Sequence, residues 1–387
     1  MTPKLRFPEF DGPWAAKHGA NAFKSRRERA WEGLPLYSVT MGQGMVRRDS
    51  LDREFSSNAP DEANLRAAKG DQVYNMMRMW QGAVGRAPEE CMVSPAYVVL
   101  APKAETASEF FDYWFKRQRS LYWLWAYSYG LTSDRLRLYA RDFAQVPMHL
   151  PNLDEQKKIA AFLVTVDERI ELLRQKRAEL ERYKRGVMRH LFAQTLRFKR
   201  EDGNAFPDWE ERQFSKFAFR VGDKFDPATA SSAPLTIELE NIESGTGRVV
   251  GQSVLEDQQS LKGVFRPGDI LFGKLRPYLR KFWFADQSGI CSSEIWVLRP
   301  RGIVGKFVYY LMQTERFMRN ANQSSGSKMP RADWGIVGES TYAIPHPDEQ
   351  HKIVDFLSAL DHKLTSIAAK IDAMLAFKKG LLQRMFV

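Results

Sequence analysis

The chain has 387 residues, with 58 Lys and Arg against 47 Asp and Glu, a formal net charge of +11. Its 44% hydrophobic and 12% aromatic content excludes a disordered polyelectrolyte, and its two cysteines, Cys91 and Cys291, lack the spacing of a disulfide framework or zinc site. No run of about 18 apolar residues occurs, so the expectation is a soluble, cytoplasmic protein with no membrane partner, of two or three domains, whose charge favours a polyanion.

The N-terminal segment MTPKLRFPEFDGPW is broken by Pro3, Pro8 and Pro13 and has no apolar targeting core. Next comes KGDQVYNMMRMW (69–80), then the strand-like YVVL ending at Ala101-Pro102, the helical EFFDYWFKRQ, and a loop, YGLTSDRLRL (129–138). LPNLDEQKKI (150–159) then opens a long helix: a proline lies upstream, Asp154 is placed to cap it, and Glu155 puts negative charge at the positive end of the helix dipole.

The second half repeats this order. A less compact opening, LRFKREDGNAFPDWEERQF, leaves the start of its domain loosely defined. GTGRVVG (245–251) reads as a hairpin turn, and PGDILFGKLRPY (267–278) matches the KGD region at an offset of 198, aligning Gly70 with Gly268, Asp71 with Asp269 and Arg78 with Arg276. The strand-like IWVL ends at Arg299-Pro300, the helical GKFVYYLMQTERFMRN follows, and a glycine- and serine-rich loop, QSSGSKMPRADW, precedes IPHPDEQHKI (344–353). From Leu150/Ile344 to Phe192/Phe386 the offset is a gapless 194, and thirteen of the 43 aligned pairs are identical. Length differences fall in loops, so the repeat is structural.

Apolar residues recur with heptad spacing in both helices, from Ile159, Leu163, Val166 and Ile170 in one and Ile353, Leu357, Leu360 and Leu364 in the other. Arg177, Lys184 and Lys378 interrupt the seams. At about 1.5 Å per residue each helix runs on the order of 50 Å, and a narrow apolar stripe of that length finds its nearest partner in the other copy. The expected fold is α+β: two similar mixed globular domains separated by two long antiparallel coiled-coil helices, related by a pseudo-two-fold internal repeat. The boundaries read 1–149 and 196–343 for the globular domains, 150–195 for the central helix and 344–387 for the terminal one.

Catalytic motifs are missing. GDILFGKL has the Gly-x4-Gly-Lys spacing of a phosphate loop but carries Leu275 where Ser or Thr is needed, and no Asn-Pro-Pro-Tyr segment of an amino-methyltransferase is present. Asp154-Glu155 and Asp348-Glu349 read as helix starts rather than catalytic acids, and the six histidines show no zinc spacing.

The KLRFPEFDGPW opening, the KGD region and the doubled Pro-x-x-Asp-Glu-Gln-x-Lys-Ile phrase entering a long helix together resemble the specificity subunit of type I restriction-modification systems, over essentially the whole chain. The resemblance implies a non-catalytic chain in which each globular domain reads one half of a split, asymmetric double-stranded DNA site. The helices then set the gap and dock two modification (methyltransferase) subunits, with restriction subunits in the full complex; S-adenosylmethionine, ATP and magnesium belong to those partners. Candidate DNA-contacting residues, chosen as side chains suited to phosphate or base contact near positions matched across the halves, are Asn75, Arg78, Gln81, Arg135 and Arg137 in the first half and Lys274, Arg276, Arg280, Lys328 and Arg331 in the second. Phe162, Leu163, Phe356 and Leu357 are candidates for the seam or the subunit dock, with helix packing as the alternative role. Two other readings remain open: a self-contained DNA-modifying or DNA-cleaving enzyme, and a coiled-coil adaptor without a DNA role.

Overall fold

The computed structural model describes residues 1–51, 61–132, 135–229, 234–253, 260–323 and 329–387. It resolves into two compact units: Met1–Gln175 with Ala368–Val387, and Lys176–Ile367. The repeat is visible in their strands. In the first unit, β1 (Ala15–His18) pairs antiparallel with β10 (Pro147–Leu150), the strand that delivers the chain into the central helix, Leu153–Phe192. In the second, β11 (Glu210–Gln213) pairs in the same way with β20 (Thr341–Ile344), which delivers it into the terminal helix, Pro347–Arg384.

Between those ends each unit holds two four-stranded sheets. The remaining first-unit strands are β2 (Phe23–Arg26), β3 (Leu36–Thr40), β4 (Gly44–Arg47), β5 (Leu65–Ala67), β6 (Gln72–Asn75), β7 (Val84–Arg86), β8 (Cys91–Val93) and β9 (Tyr97–Pro102). Those of the second are β12 (Ala218–Arg220), β13 (Lys224–Phe225), β14 (Thr236–Ile237), β15 (Lys262–Phe265), β16 (Ile270–Gly273), β17 (Phe282–Phe284), β18 (Gly289–Cys291) and β19 (Ile295–Pro300). The inner sheets correspond strand for strand, β2-β9-β6-β7 and β12-β19-β16-β17. The outer ones share three strands but add the fourth on opposite edges: β4 lies beyond β3 in the order β4-β3-β8-β5, and β13 beyond β15 in β13-β15-β18-β14. The short apolar runs bounded by Gly and Pro are strands, as their composition predicts. GKFVYYLMQTERFMRN is two helices rather than one, Gly305–Leu311 and Glu315–Ala321, because the Thr314 hydroxyl accepts from the Phe317 N–H and starts a new helix.

The main core of each unit lies between the inner sheet, the helices after β9 or β19 and segments of both long helices. In the first unit Phe110, Phe111, Leu163, Val166 and Ile170 pack with Leu381, Met385 and Phe386. In the second, Met188 and Leu191 join Phe272, Phe307, Ile353, Leu357 and Leu360. Within each unit a low-numbered residue of one long helix therefore meets a high-numbered residue of the other, the antiparallel pairing that the heptads suggest. The polar breaks in the seams are ion pairs. Lys378 Nζ lies 2.5 Å from Asp167, which also accepts from the Tyr113 hydroxyl. Lys184 Nζ lies 2.6 Å from Asp361, which accepts from the Tyr310 hydroxyl. Such half-buried polar pairs fix the register of a helix pair.

Both helix caps lie two residues before the expected aspartates. Asn152, not Asp154, caps the central helix, its Oδ1 accepting from Glu155 N–H at 2.9 Å; at the terminal helix His346 Nδ1 takes that place and Pro347 occupies the first helical position. Asp154 and Asp348 lie exposed in the first turn. Glu155 and Glu349 are completely buried. Arg6 clamps Glu155 through Nε and Nη2 at 2.8 and 2.7 Å, and the Trp14 indole N–H donates to the same carboxylate at 3.3 Å. Arg197 clamps Glu349 at 3.2 and 2.8 Å, and Trp209 donates at 3.0 Å. These bidentate pairs raise the guanidinium pKa of Arg6 and of Arg197, the hydrogen bond to the carboxylate being the main cause. Gln156 and Gln350 complete the phrase by accepting from the Ala107 and Val304 N–H groups and donating to the Pro151 and Pro345 carbonyls. The opening of the second half is thus a full counterpart of the first: Leu196-Arg197-Phe198 stands for Leu5-Arg6-Phe7, and Phe198 packs on Phe356 as Phe7 packs on Phe162.

Candidate nucleic-acid interface

In each unit the hairpin of the inner sheet ends in a loop of the same length, 76–83 between β6 and β7 and 274–281 between β16 and β17. A short 3-10 turn shapes each tip, Met79–Gln81 in one and Pro277–Leu279 in the other. The loop that precedes the long helix is hydrogen-bonded to this tip. In the first unit Leu138 N–H donates to the Met76 carbonyl; in the second, Arg276 N–H donates to Pro330 and Ala332 N–H to Lys274, with Leu275 and Arg331 forming a β-bridge. The two segments that sequence matching singles out in each half therefore meet at one place.

At the first tip, Arg78 is exposed and its side chain has no ion pair or hydrogen bond among the described residues; the same holds for Gln81. Asn75 is half-buried and its Oδ1 accepts from Met77 N–H at 3.0 Å, so it shapes the turn. Arg135 and Arg137 are exposed on the adjoining loop, whose arms are held by the reciprocal Tyr129–Arg137 backbone pair. Gly130 permits that closure, since a Cβ there would lie 2.4 Å from the Arg135 carbonyl oxygen.

At the second tip Arg276 is exposed and its side chain is likewise unpaired among the described residues, as is that of the half-buried Lys274. Two other candidates are held by carboxylates. Arg331 forms a forked pair with Glu294 at 3.0 and 3.3 Å, and Arg280 bonds Glu315 at 2.7 Å and the Gln313 carbonyl at 2.5 Å. Both pairs leave the arginine at least one-third exposed, so they position guanidinium groups without hiding them. Lys328 lies outside the described residues.

The tips are alike in place and unlike in backbone. Arg276 and Arg280 take left-handed conformations, φ 50° and 53°, which L side chains rarely adopt; at the equivalent places Arg78 has φ −132° and Gly82 φ 88°. Exposed apolar groups surround the cations: Met77, Tyr129 and Leu131 in the first unit, and Tyr278, Leu279 and Met329 in the second. Sequence matching finds the arginines but not this apolar surround.

The PGD and KGD turns beneath the tips are structural. Asp71 is buried and accepts from Ala68 N–H and the Arg26 guanidinium; Asp269 accepts from Arg266 N–H and both arms of Arg299. The phosphate-loop resemblance of 268–275 dissolves into a turn followed by strand β16. GTGRVVG is a turn between the bridged Ile242 and Val249. Among the described residues no group of three or more His, Cys, Asp and Glu is placed to hold a metal ion, and no helix is long and apolar enough to cross a membrane.

Of the helix candidates, Leu163 and Leu357 are fully buried in their own units' cores and have no surface to offer a partner. Phe162 and Phe356 are half-buried under Phe7 and Phe198. The apolar side chains that the long helices do expose include Tyr183 and Phe377, 54% and 50% exposed, which are repeat equivalents at the 194 offset.

A profile of the type I restriction modification DNA specificity domain matches residues 20–182 and 253–375. The chain is 28% identical over 273 residues, 62% of its own length and 61% of the relative's, to the specificity subunit of type I restriction enzyme EcoDI of Escherichia coli. It is 22% identical over 241 residues, 57% and 56% of the two lengths, to that of MjaVIII of Methanocaldococcus jannaschii. The matched region thus spans about three fifths of these relatives. The fold is similar to that of the type I restriction-modification S subunit from M. genitalium, with a TM-score of 0.58 at 16% identity, covering 100% of this chain and 99% of that one.

Proposed function

The chain belongs to the type I restriction-modification DNA specificity domain family, and on that premise we propose that it is the DNA-recognition subunit of such a system, each unit reading one half of a bipartite, asymmetric site through its hairpin tip. The observation that carries the reading is the same in both units. Two chain segments far apart in sequence, the inner-sheet hairpin and the loop before the long helix, are bonded together and present unpaired cations, Arg78 and Arg137 in one unit and Lys274 and Arg276 in the other. Arginine on a hairpin tip reaches guanine edges or phosphates in a major groove wide enough for a two-stranded ribbon. Asn75 and Gln81, and the carboxylate-held Arg280 and Arg331, flank these groups; Arg135 extends the cationic rim.

The long helices set the gap between half-sites and dock two modification subunits, for which Tyr183 and Phe377 are the surfaces of choice. Restriction subunits join in the full complex. S-adenosylmethionine, ATP and magnesium act on those partners, and this chain supplies the address. Mapping methylated adenines across the host genome tests the reading. Two unlike short blocks separated by a fixed gap are expected; a single palindromic block would refute it.

A further inference from the structure

Two cavities of about 880 and 540 Å³ adjoin on the first unit and share Ser25, Arg27, Ala140 and Arg141. Together they form one open groove that starts beside Met76 and Tyr129, at the root of the hairpin tip, and runs along β2 to Lys103. Its lining holds Lys24, Arg27, Arg29, Lys103 and Arg141 and not one carboxylate. The other lining cation, Arg26, is neutralised by Asp71 and Glu28. Of the five, Lys24 and Arg27 have no side-chain partner among the described residues, while Arg29 and Lys103 meet only the Glu62 and Ala20 carbonyls. Arg141 donates to the Tyr129 hydroxyl at 2.5 Å and lies over the Tyr139 ring, with Asp142 at 3.7 Å. A groove with this much unmatched positive charge selects an extended anion.

The matching positions of the second unit carry fewer cations. The register of β2 and β12, whose first residues pair with Pro102 and Pro300, sets Phe219 against Lys24 and Gly222 against Arg27; the 194 offset sets Gly335 against Arg141. These three cations are replaced by neutral residues, whereas Lys224 and Arg301 keep the charge of Arg29 and Lys103, and Arg220 stands for Ser25.

We propose that this groove is a phosphodiester track, carrying the DNA backbone that leaves the half-site read by the first unit. The proposal rests on the reading of the chain as a DNA-recognition subunit. The groove's cations touch phosphates and sugars, not base edges, so they add affinity without sequence preference.

The test is the salt dependence of binding of the full chain to a mixed-sequence duplex. Each phosphate contact contributes a slope of about −0.9 in log K against log salt. Arg27→Ala/Lys103→Ala/Arg141→Ala is expected to flatten the slope by about 2 to 3 and to weaken binding roughly a hundredfold near 0.15 M salt, equally for every sequence. Arg27→Lys/Arg141→Lys keeps the charge and is expected to keep the slope. Lys363→Ala/Lys370→Ala/Lys379→Ala removes the same net charge from exposed positions of the terminal helix and serves as the control. A loss in the control as large as in the groove variant, or an unchanged slope in the groove variant while the parent chain binds, overturns the track and leaves the recognition reading standing. Absence of DNA binding by the parent chain at low salt overturns that reading and the track with it.

Discussion

Removing the carboxylate of Glu349 tests whether the repeated Asp-Glu-Gln phrase is a buried clamp rather than a helix start. The carboxylate has no exposed surface and accepts three hydrogen bonds, two from Arg197 and one from Trp209. Breaking a buried, hydrogen-bonded ion pair by deleting one partner costs about 3–5 kcal/mol, because the other charge is left unmatched. Glu349→Ala falls at the lower end, about 3 kcal/mol: Arg197 is partly exposed and keeps the Pro207 carbonyl at 2.6 Å. Arg197→Met falls at the upper end, about 5 kcal/mol, since the carboxylate has no exposed surface of its own and keeps only the Trp209 donor among the described residues. The double variant Glu349→Leu/Arg197→Met leaves neither charge behind, so it costs less than the sum of the singles by about 2 kcal/mol or more. Asp348→Ala, one residue away and exposed, loses only its share of the helix-dipole interaction, about 0.3–1 kcal/mol. Urea denaturation gives these differences, and hydrogen exchange of the 196–209 segment localises them. Singles that each cost under about 1 kcal/mol, or that add without coupling, would refute the clamp.

Arg276→Ala is expected to weaken binding of the assembled complex to its cognate duplex by roughly 1–3 kcal/mol in a fluorescence titration, and to relax the sequence preference at one position of one half-site. Gly82→Ala, forced to hold φ 88°, is expected to cost about 1 kcal/mol, whereas Arg280→Gly relieves a left-handed arginine while losing an exposed ion pair and is expected to be near neutral in thermal unfolding. Tyr183→Ser and Phe377→Ser are expected to weaken co-purification with the modification subunits without lowering the melting temperature, because both side chains are half-exposed or more. Burial pushes the Cys91 and Cys291 thiols up to about 12. In the unfolded chain they ionise near their ordinary value of roughly 8.5, so the stability they contribute is complete below that pH and is lost progressively up to about pH 12. Native protein at pH 8 should leave both thiols silent toward a thiol reagent, and denaturation should release two per chain.

The helix pair was legible because a doubled phrase and a heptad seam are both local patterns, and because Asp167 and Lys184 recur as Asp361 and Lys378, the residues that cross-pair in the folded chain. The caps were not legible from the repeat, because Asn152 and His346 differ between the copies while the aspartates two residues on are identical. The clamp was not legible from either helix alone, since its arginine lies 149 residues before Glu155 and 152 before Glu349. A signal existed: Leu-Arg-Phe followed by a tryptophan occurs at 5–14 and again at 196–209. Strand order was not legible, because crossovers such as β2 to β9 depend on tertiary packing, and the cationic groove was not, because its walls come from five separated segments.

The repeat treats its parts unequally, and the division follows function as proposed. Buried and half-buried groups are kept nearly atom for atom: glutamate under arginine and tryptophan, glutamine on a loop N–H, aspartate between tyrosine and lysine. An error in any of them strands a charge or leaves a buried polar group unpaired, so both copies keep the same solution. At the tips the same arginine sits on backbones of opposite hand, φ −132° for Arg78 and 50° for Arg276, so one residue type is aimed in two directions. Exposed tips tolerate that divergence because water solvates whatever the turn presents. On the proposed reading, a duplicated scaffold with conserved interiors and divergent tips serves two different half-sites without changing its fold, so asymmetry of the target, rather than any single contact, is the sharpest test of that reading.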